Sequence, residues 1–528
     1  MMKVYLKDNV KMEPLIWKWY AWPNMIPPLS GASNLVERYM KIMESYIKFP
    51  KIHMQANQNP SLMGGPFIDL EGRYVEEVKQ LFESTKEDCK DLINLHSAFK
   101  DFEKKLKTEA TGNSLEPFYA KLPSELKGCV ELVYDTSNNP SLRLIEEFIY
   151  RKHYADTSQG ISLSLIDKDY RPFIMSTPRV KMNEEVYIDI PFSHEAIDEL
   201  FRSRKEPVEI NELIEKLKVK EDQQELFLSF FTETKPPQNE NRNYDGEEIR
   251  IRYFGHACIM LQTKNVSILT DPIISYPVQT EDSRYTFKDL PDTIDYVLLT
   301  HNHQDHVLFE TLLQLRYKIK NIVVPRSRKG ALEDPSLKMI LKQVGFENVI
   351  ELDEFENLEI KNGRIVGFPF LGEHSDLNIQ SKIAHCVTLN GKKFLLAADS
   401  NNIDPYLYDN VFEYFEKIDV LFLGMECDGA PLSWLYAPYM VTPIIKSHDD
   451  ERTLSGSNFE KAWLIAEKSG CKEAYVYAMG MEPWLHHIMA LQYTPDSIQI
   501  TESNKFVAAC KDKNITSERL FMKKEWVV

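Results

Sequence analysis

At 528 residues, with 43% hydrophobic and 11% aromatic side chains, the chain is too long for one ordinary core and is expected to fold as roughly two to four globular units. Its net charge of −17 repels nucleic acid and anionic lipid, and no stretch approaches the ~20 apolar residues that span a bilayer, so neither nucleic acid nor membrane is an expected partner. Seven scattered cysteines without CxxC spacing, and a Met1 to Val10 segment without a signal-peptide core, point to a protein of a reducing cytoplasm.

The opening residues, Met1 to Leu29, hold Trp17, Trp19 and Trp22 among four prolines and read as an aromatic-rich segment packed on its own domain or on a second subunit. Helical spacing follows from Asn34 to Ile47, and Tyr74 to Leu106 predicts one or two charged amphipathic helices. Val130 to Tyr134 reads as a strand, Asp135 to Pro140 as a turn-rich break and Leu142 to Arg151 as a helix. Short strands at Ile161 to Ile166, Arg171 to Met175 and Glu185 to Ile190 precede helices at His194 to Arg202, Ile210 to Leu217 and Asp222 to Phe231. Together they suggest a winged-helix-like α+β module whose mixed charges favour docking or homodimerisation over DNA binding. An α+β N-terminal domain is therefore expected over residues 1–231, with a division near 135–160. Residues 232–246, polar, aperiodic and carrying Pro236-Pro237, form the expected linker to a domain at 247–528.

In that second part Ile249 to Phe254 and Val266 to Leu269 read as a hairpin around Gly255-His256-Ala257, after which strands and helices alternate. Polar clusters stand at successive strand ends: Asp271, His301 to His306, Gly372-Glu373-His374, Asp399-Ser400 and Glu426-Cys427-Asp428. The richest, Thr300-His301-Asn302-His303-Gln304-Asp305-His306, follows the buried-strand pattern Tyr296 to Leu299. Imidazole and carboxylate groups are costly to bury unpaired, so a metal is the expected partner. His301 and His303 can hold a first ion, Asp305 and His306, at the start of the next helix, a second, and Asp399 can bridge them. Such a set accepts zinc, manganese or iron.

The HxHxDH loop after an apolar strand, with Asp271 before it and Asp399 closing the later strand Lys393 to Ala398, resembles the metallo-β-lactamase fold. The resemblance implies an α/β architecture, an αββα sandwich with two metals in an edge cleft. One departure is informative. Hydrolases of this fold carry a histidine directly after the glycine at Gly372, where this chain has Glu373, so either Glu373 or the following His374 is the ligand. Glu373 is favoured, because a hard carboxylate oxygen suits an iron that cycles between oxidation states. His486 and His487, after the last core strand, read as helix histidines before ligands.

Gly-Glu-His-Ser-Asp, Ala-Ala-Asp-Ser-Asn and Gly-Met-Glu-Cys-Asp-Gly-Ala-Pro, together with the long N-terminal region, are similar to the CmlA-type β-hydroxylases of nonribosomal peptide biosynthesis. That resemblance implies two iron ions, O2 as co-substrate and an external two-electron donor. Its substrate would be an amino acid tethered to the carrier domain of a nonribosomal peptide synthetase. It also implies His301, His303 and Glu373 on one iron, Asp305 and His306 on the other, Asp399 bridging, and Glu426 beside the cluster. The enzyme alternative is a two-zinc hydrolase of a lactone, phosphoester or thioester, and the non-enzymatic one a carrier-binding scaffold with a structural metal. His256 and His385 are expected to support the fold, and Ser447 to Asp450 to form a polar loop. Trp434, Tyr436, Tyr439 and Trp484 read as core or channel walls.

Overall fold

The computed structural model describes residues 3–180 and 184–528, so Met1 and Met2 of the opening segment lie outside the described residues. Two seven-stranded sheets occupy the C-terminal part. The first contains β1 (Arg250–Gly255), β2 (Cys258–Gln262), β3 (Ser267–Thr270), β4 (Ile294–Leu298), β5 (Ile319–Pro325) and β6 (Val349–Leu352). The second contains β7 (Asn357–Ile360), β8 (Gly363–Phe368), β9 (Ala384–Leu389), β10 (Lys392–Leu396), β11 (Val420–Gly424), β12 (Glu473–Tyr477) and β13 (Thr516–Arg519), side by side in chain order. The final strand, β14 (Lys524–Val527), returns to pair with β1.

Hairpin contacts give way to parallel pairing halfway through each sheet: β3 to β6 run parallel in the first and β10 to β13 in the second. Parallel strands need crossover connections, supplied in the second sheet by helices Pro405–Phe415, Phe459–Ser469 and Ile498–Asp512. Between the sheets Ile251, Leu298, Val323, Val387, Phe394 and Phe422 form a dry core. Leu395, Leu421 and Val476 pack outward onto Val411, Ile465 and Phe506 of those helices. The result is the αββα sandwich expected from the motif.

The outer face of the first sheet is covered differently. Met260, Leu269, Val297 and Ile322, with helix Phe309–Leu315, share one continuous core with Trp19, Tyr39, Phe192 and Phe201 of the N-terminal region. That region holds an antiparallel sheet of Trp19–Tyr20, Val10–Ile16, Gln159–Leu165 and Val186–Asp189. Trp19 and Trp22 are buried, as an aromatic-rich packed segment requires. Among the described residues no helix is long and apolar enough to cross a membrane.

Several expected elements are corrected. Leu142 to Arg151 is not one helix. Asp135 Oδ1 accepts from the backbone N–H groups of Ser137 and Asn139, 2.8 Å each, closing a hairpin, so Pro140–Leu144 is a strand and the helix begins at Glu146. Arg171 to Met175 forms no strand, because Arg171 turns inward to buried carboxylates. Among the described residues the winged-helix-like module does not stand apart: Gln159–Leu165 pairs across the chain with Val10–Ile16. Val266 to Leu269 does not face Ile249 to Phe254. Gly255 (φ 109°) and His256 (φ 51°) make so tight a turn that the chain returns at once as β2, and β3 pairs with that strand. In residues 232–246 the Asn239 and Arg242 side chains bond to Asp289 and Asp292, which ties the stretch to the sandwich.

Candidate metal centre

The site lies where β1, β3, β4, β8, β10 and β11 run out into loops at one edge of the sandwich. The left-handed region, unfavourable to residues with a Cβ, recurs there: His256, Asp271, Glu373, Ser375, Asp376 and Ala398 all have φ between 30° and 65°. Each costs on the order of 1–3 kcal/mol, and such strain persists only where surrounding structure over-determines it.

Asp271, at the end of β3, organises the motif loop. Its Oδ1 accepts from Thr300 N at 2.9 Å, and its Oδ2 accepts from Thr300 Oγ1 at 2.7 Å and lies 2.8 Å from His306 Nδ1. A tight turn, with Val307 N bonded to His303 O, then folds the three imidazoles together. His301 Nδ1 is 3.0 Å from Thr300 Oγ1, which leaves Nε2 free to face Asp399 Oδ2 at 3.9 Å. His306 Nε2 is 2.9 Å from the same oxygen. Asp305 Oδ2 lies 3.1 Å from His256 Nε2 and 3.5 Å from His306 Nε2. His303 Nδ1 is 2.9 Å from Glu373 Oε1, and its Nε2 is 3.1 Å from Tyr436 Oη.

Potential ligand atoms gather within 4.8 Å of one another in three overlapping groups: His301, His303, Glu373 and His374; His256, Asp305 and His306; and His301, His306 and Asp399. All six residues named from the sequence as ligands therefore converge. His374, the weighed alternative, joins them, its Nδ1 2.6 Å from Glu373 Oε2. His256, expected to support the fold near the site, stands at the end of a strand on the same edge and does so by bonding Asp305 Oδ2, which also brings it into the second group. Phe370 closes one side, its ring centre 5.3 Å from that of His301.

The electrostatics call for cations. Burial, reinforced by neighbouring imidazoles, holds His301 well below its ordinary value of 6.5, and burial depresses His374 to about 4. Both keep a lone pair available at neutral pH, as a ligand must. Burial opposes charge on His306, but Asp399, Asp305 and Asp271 overcome it and raise its value well above 6.5, marking a spot where positive charge is favoured. Burial, then His303 and His374, set Glu373, with the imidazoles winning and keeping it ionised. His301 Nε2 and Asp399 Oδ1 are buried without a hydrogen-bond partner. Orphaned atoms of this kind, in a mixed nitrogen and oxygen set, fit two divalent metals.

Two family models match the chain, one described as the N-terminal domain of di-iron non-haem β-hydroxylases over residues 5–236, the other as a β-lactamase superfamily domain over 267–431. The sequence is 34% identical over 530 residues, 99% of each chain, to the 4-amino-L-phenylalanyl-peptidyl-carrier-protein 3-hydroxylase of Streptomyces venezuelae. The chain belongs to the di-iron non-haem β-hydroxylase family. The fold agrees along the full length with the crystal structure of CmlA, a di-iron β-hydroxylase from Streptomyces venezuelae, with a TM-score of 0.94, 33% identity and 100% of each chain covered. A glutamate-to-aspartate mutant of CmlA matches with a TM-score of 0.92 over 99% of this chain and 100% of that one.

The N-terminal region of the hydroxylase reaches its motif loop directly. Asn302, between the first two histidines, donates to Asn24 Oδ1. Asn24 and Asn34 both donate to Tyr439 Oη, and Arg38 donates to the carbonyls of Trp434 and Leu435, fixing the short helix Leu432–Tyr436 that presents Tyr436 to His303. Of the four aromatic residues considered as walls, Tyr436 alone contacts a candidate ligand by hydrogen bonding; Trp434 donates to Gly64 O, and Trp484 stacks under Arg284. His486 stacks on Tyr170 and His487 is buried edge-on to Tyr20, so neither joins the ligand groups. His385 Nε2 donates to Leu299 O, 3.2 Å away, as a packed strand histidine. Ser447 to Asp450 is a correction: it lies in helix Lys446–Glu451, where Asp449 accepts from Ser433 N and Oγ. Glu426 is partly exposed, two residues past β11.

Clefts of about 820 and 620 Å³ lie elsewhere.

Proposed function

We propose that this chain is an O2-dependent di-iron monooxygenase that hydroxylates the β-carbon of an amino acid held as a thioester on a nonribosomal peptide synthetase carrier domain. The end-to-end kinship with the carrier-protein hydroxylase of Streptomyces venezuelae carries the reading. His301, His303 and Glu373 would hold one iron and Asp305 and His306 the other, with Asp399 shared. Once bound, the irons supply the capacity to activate O2, with two electrons from an external donor, and to oxidise an unactivated C–H bond. The chain does the positioning. Asp271 and Thr300 fix the rings of His306 and His301, His256 orients Asp305, and Tyr436 holds the outward nitrogen of His303. Phe370 and the loops exclude water from one side, so that a substrate C–H placed opposite meets the oxidant before solvent does.

In this reading residues 1–231 dock the carrier and pair two subunits, 232–246 connect, and 247–528 catalyse, all in the cytoplasm beside the synthetase. A two-zinc hydrolase would use the same HxHxDH loop but has no use for the redox-compatible donor Glu373 or for the matched N-terminal domain. Reduced protein, O2 and a carrier domain loaded in turn with 4-amino-L-phenylalanine and other amino acids should yield, by mass spectrometry, aminoacyl thioester bearing one added oxygen. Purified protein should hold about two irons per chain. Colourless zinc protein that cleaves thioesters and adds no oxygen would send the assignment to the hydrolase.

A further inference from the structure

We infer that Glu426 binds the α-ammonium group of the tethered amino acid and thereby turns its β-carbon toward the metals. This rests on the function proposed above and adds the residue that reads the substrate's free amine.

Strands β10 and β11 run parallel, so Asp399 and Glu426 leave neighbouring strand ends on the same edge. The two segments are in contact. A Cβ on Gly424 would stand 2.8 Å from Asp399 Oδ1, and one on Gly456 would stand 3.4 Å from Asp399 O and 3.5 Å from Glu426 O. Gly456 N donates to Glu426 O at 2.8 Å, fixing where the side chain starts.

The carboxylate of Glu426 makes no hydrogen bond or ion pair among the described residues, and it stands outside all three groups of potential ligand atoms. The charges that bear most on it are those of Asp399, Asp305 and Glu373, which His306 opposes. In the proposed function those three carboxylates serve the metals, and among the described residues no lysine or arginine pairs with the fourth. Tyr493 Oη is buried without a hydrogen-bond partner, and of the charged groups Glu426 bears on it most. A partly exposed carboxylate with no internal counter-ion, beside an unpaired hydroxyl, is arranged for a cation that arrives from outside. An aminoacyl thioester brings one: its ammonium sits on the α-carbon, one bond from the carbon to be hydroxylated. Tyr493 O–H is then free to donate to the thioester carbonyl.

The test measures binding without turnover. Iron-loaded wild type and Glu426→Gln are titrated, in the absence of O2, with a carrier domain bearing 4-amino-L-phenylalanine or its Nα-acetyl derivative. Wild type should prefer the free amine by on the order of 10- to 100-fold, the range of a hydrogen bond to a charged group. In Glu426→Gln that preference should fall close to unity with iron content unchanged, and Glu426→Asp should recover part of it. An undiminished preference in Glu426→Gln overturns the assignment, and loss of iron from that variant overturns it too by making Glu426 a ligand. Wild type that binds neither loaded carrier sinks the carrier-hydroxylase reading itself, and this one with it.

Discussion

His306 and Glu310 stand close together in the chain, yet they belong to buried charge clusters of opposite character. Glu310 accepts from Arg171 and from Tyr20 Oη, and Arg171 and Arg179 converge on Glu13. Glu13, Arg171, Arg179 and Glu310 are each less than one-tenth exposed, and every charge faces its opposite within the chain. Around His306 the same depth of burial leaves His301 Nε2 and Asp399 Oδ1 with no partner. Buried charge paired inside the chain holds the N-terminal region to the sandwich; buried charge left unpaired is reserved for ligands from outside.

The strongest way to break that comparison is Glu373→Ala. It should lose iron and lower hydroxylation by more than about 100-fold, while His374→Ala keeps both, measured as metal content and oxygen added to the aminoacyl carrier. The reverse pattern would move the ligand role to His374. Arg171→Met attacks the satisfied cluster and strands Glu13 and Glu310, so unfolding free energy should drop by about 3–5 kcal/mol in urea titration with iron per folded chain unchanged. Iron loss without a stability change would contradict the division of roles.

The same cluster predicts a pH signature. Burial would raise Glu13, but Arg179, Lys11 and Arg171 outweigh it and hold the carboxyl well below its ordinary value of 4.5. Its stabilisation is therefore complete above the unfolded value and drains away as pH falls through the folded one. Glu13→Gln should flatten the acid side of a stability curve recorded below pH 4.5. Asp271→Asn, which weakens the brace on His306, should cost about 10- to 100-fold in iron affinity by competition with a chelator. Tyr436→Phe removes a bond to the outward nitrogen of His303, and its effect on the same measurement should be smaller, at most about tenfold. An effect of Tyr436→Phe as large as that of Asp271→Asn would mean that the N-terminal region helps set metal affinity.

Much of the candidate centre was legible because its potential ligands follow strands. An apolar run that ends in His301-Asn302-His303-Gln304-Asp305-His306 states both the buried strand and the donors after it. Glu373 after Gly372 and Asp399 after β10 repeat that arrangement, and all of these residues meet. His256 supports the site, as expected, through its bond to Asp305, but which carboxylate it braces has no local signal in the sequence. Arg171 to Met175 read as a strand because its apolar residues mask an arginine whose partners lie at residues 13 and 310. Leu142 to Arg151 failed for a local reason: the Asp135 turn had already committed the following residues to a hairpin.

The sequence by itself determined the family of fold, the six converging candidate donors and their oxygen-rich character, since strand periodicity and the identity of the residue after each strand are local properties. Only the tertiary structure decided which groups brace those donors, which buried charges are satisfied and which wait for a ligand. Asp271 with His306, Tyr436 with His303, Asn24 with Asn302 and Glu13 with Arg171 are pairs set by how sheets and helices stack. No spacing along the chain encodes them.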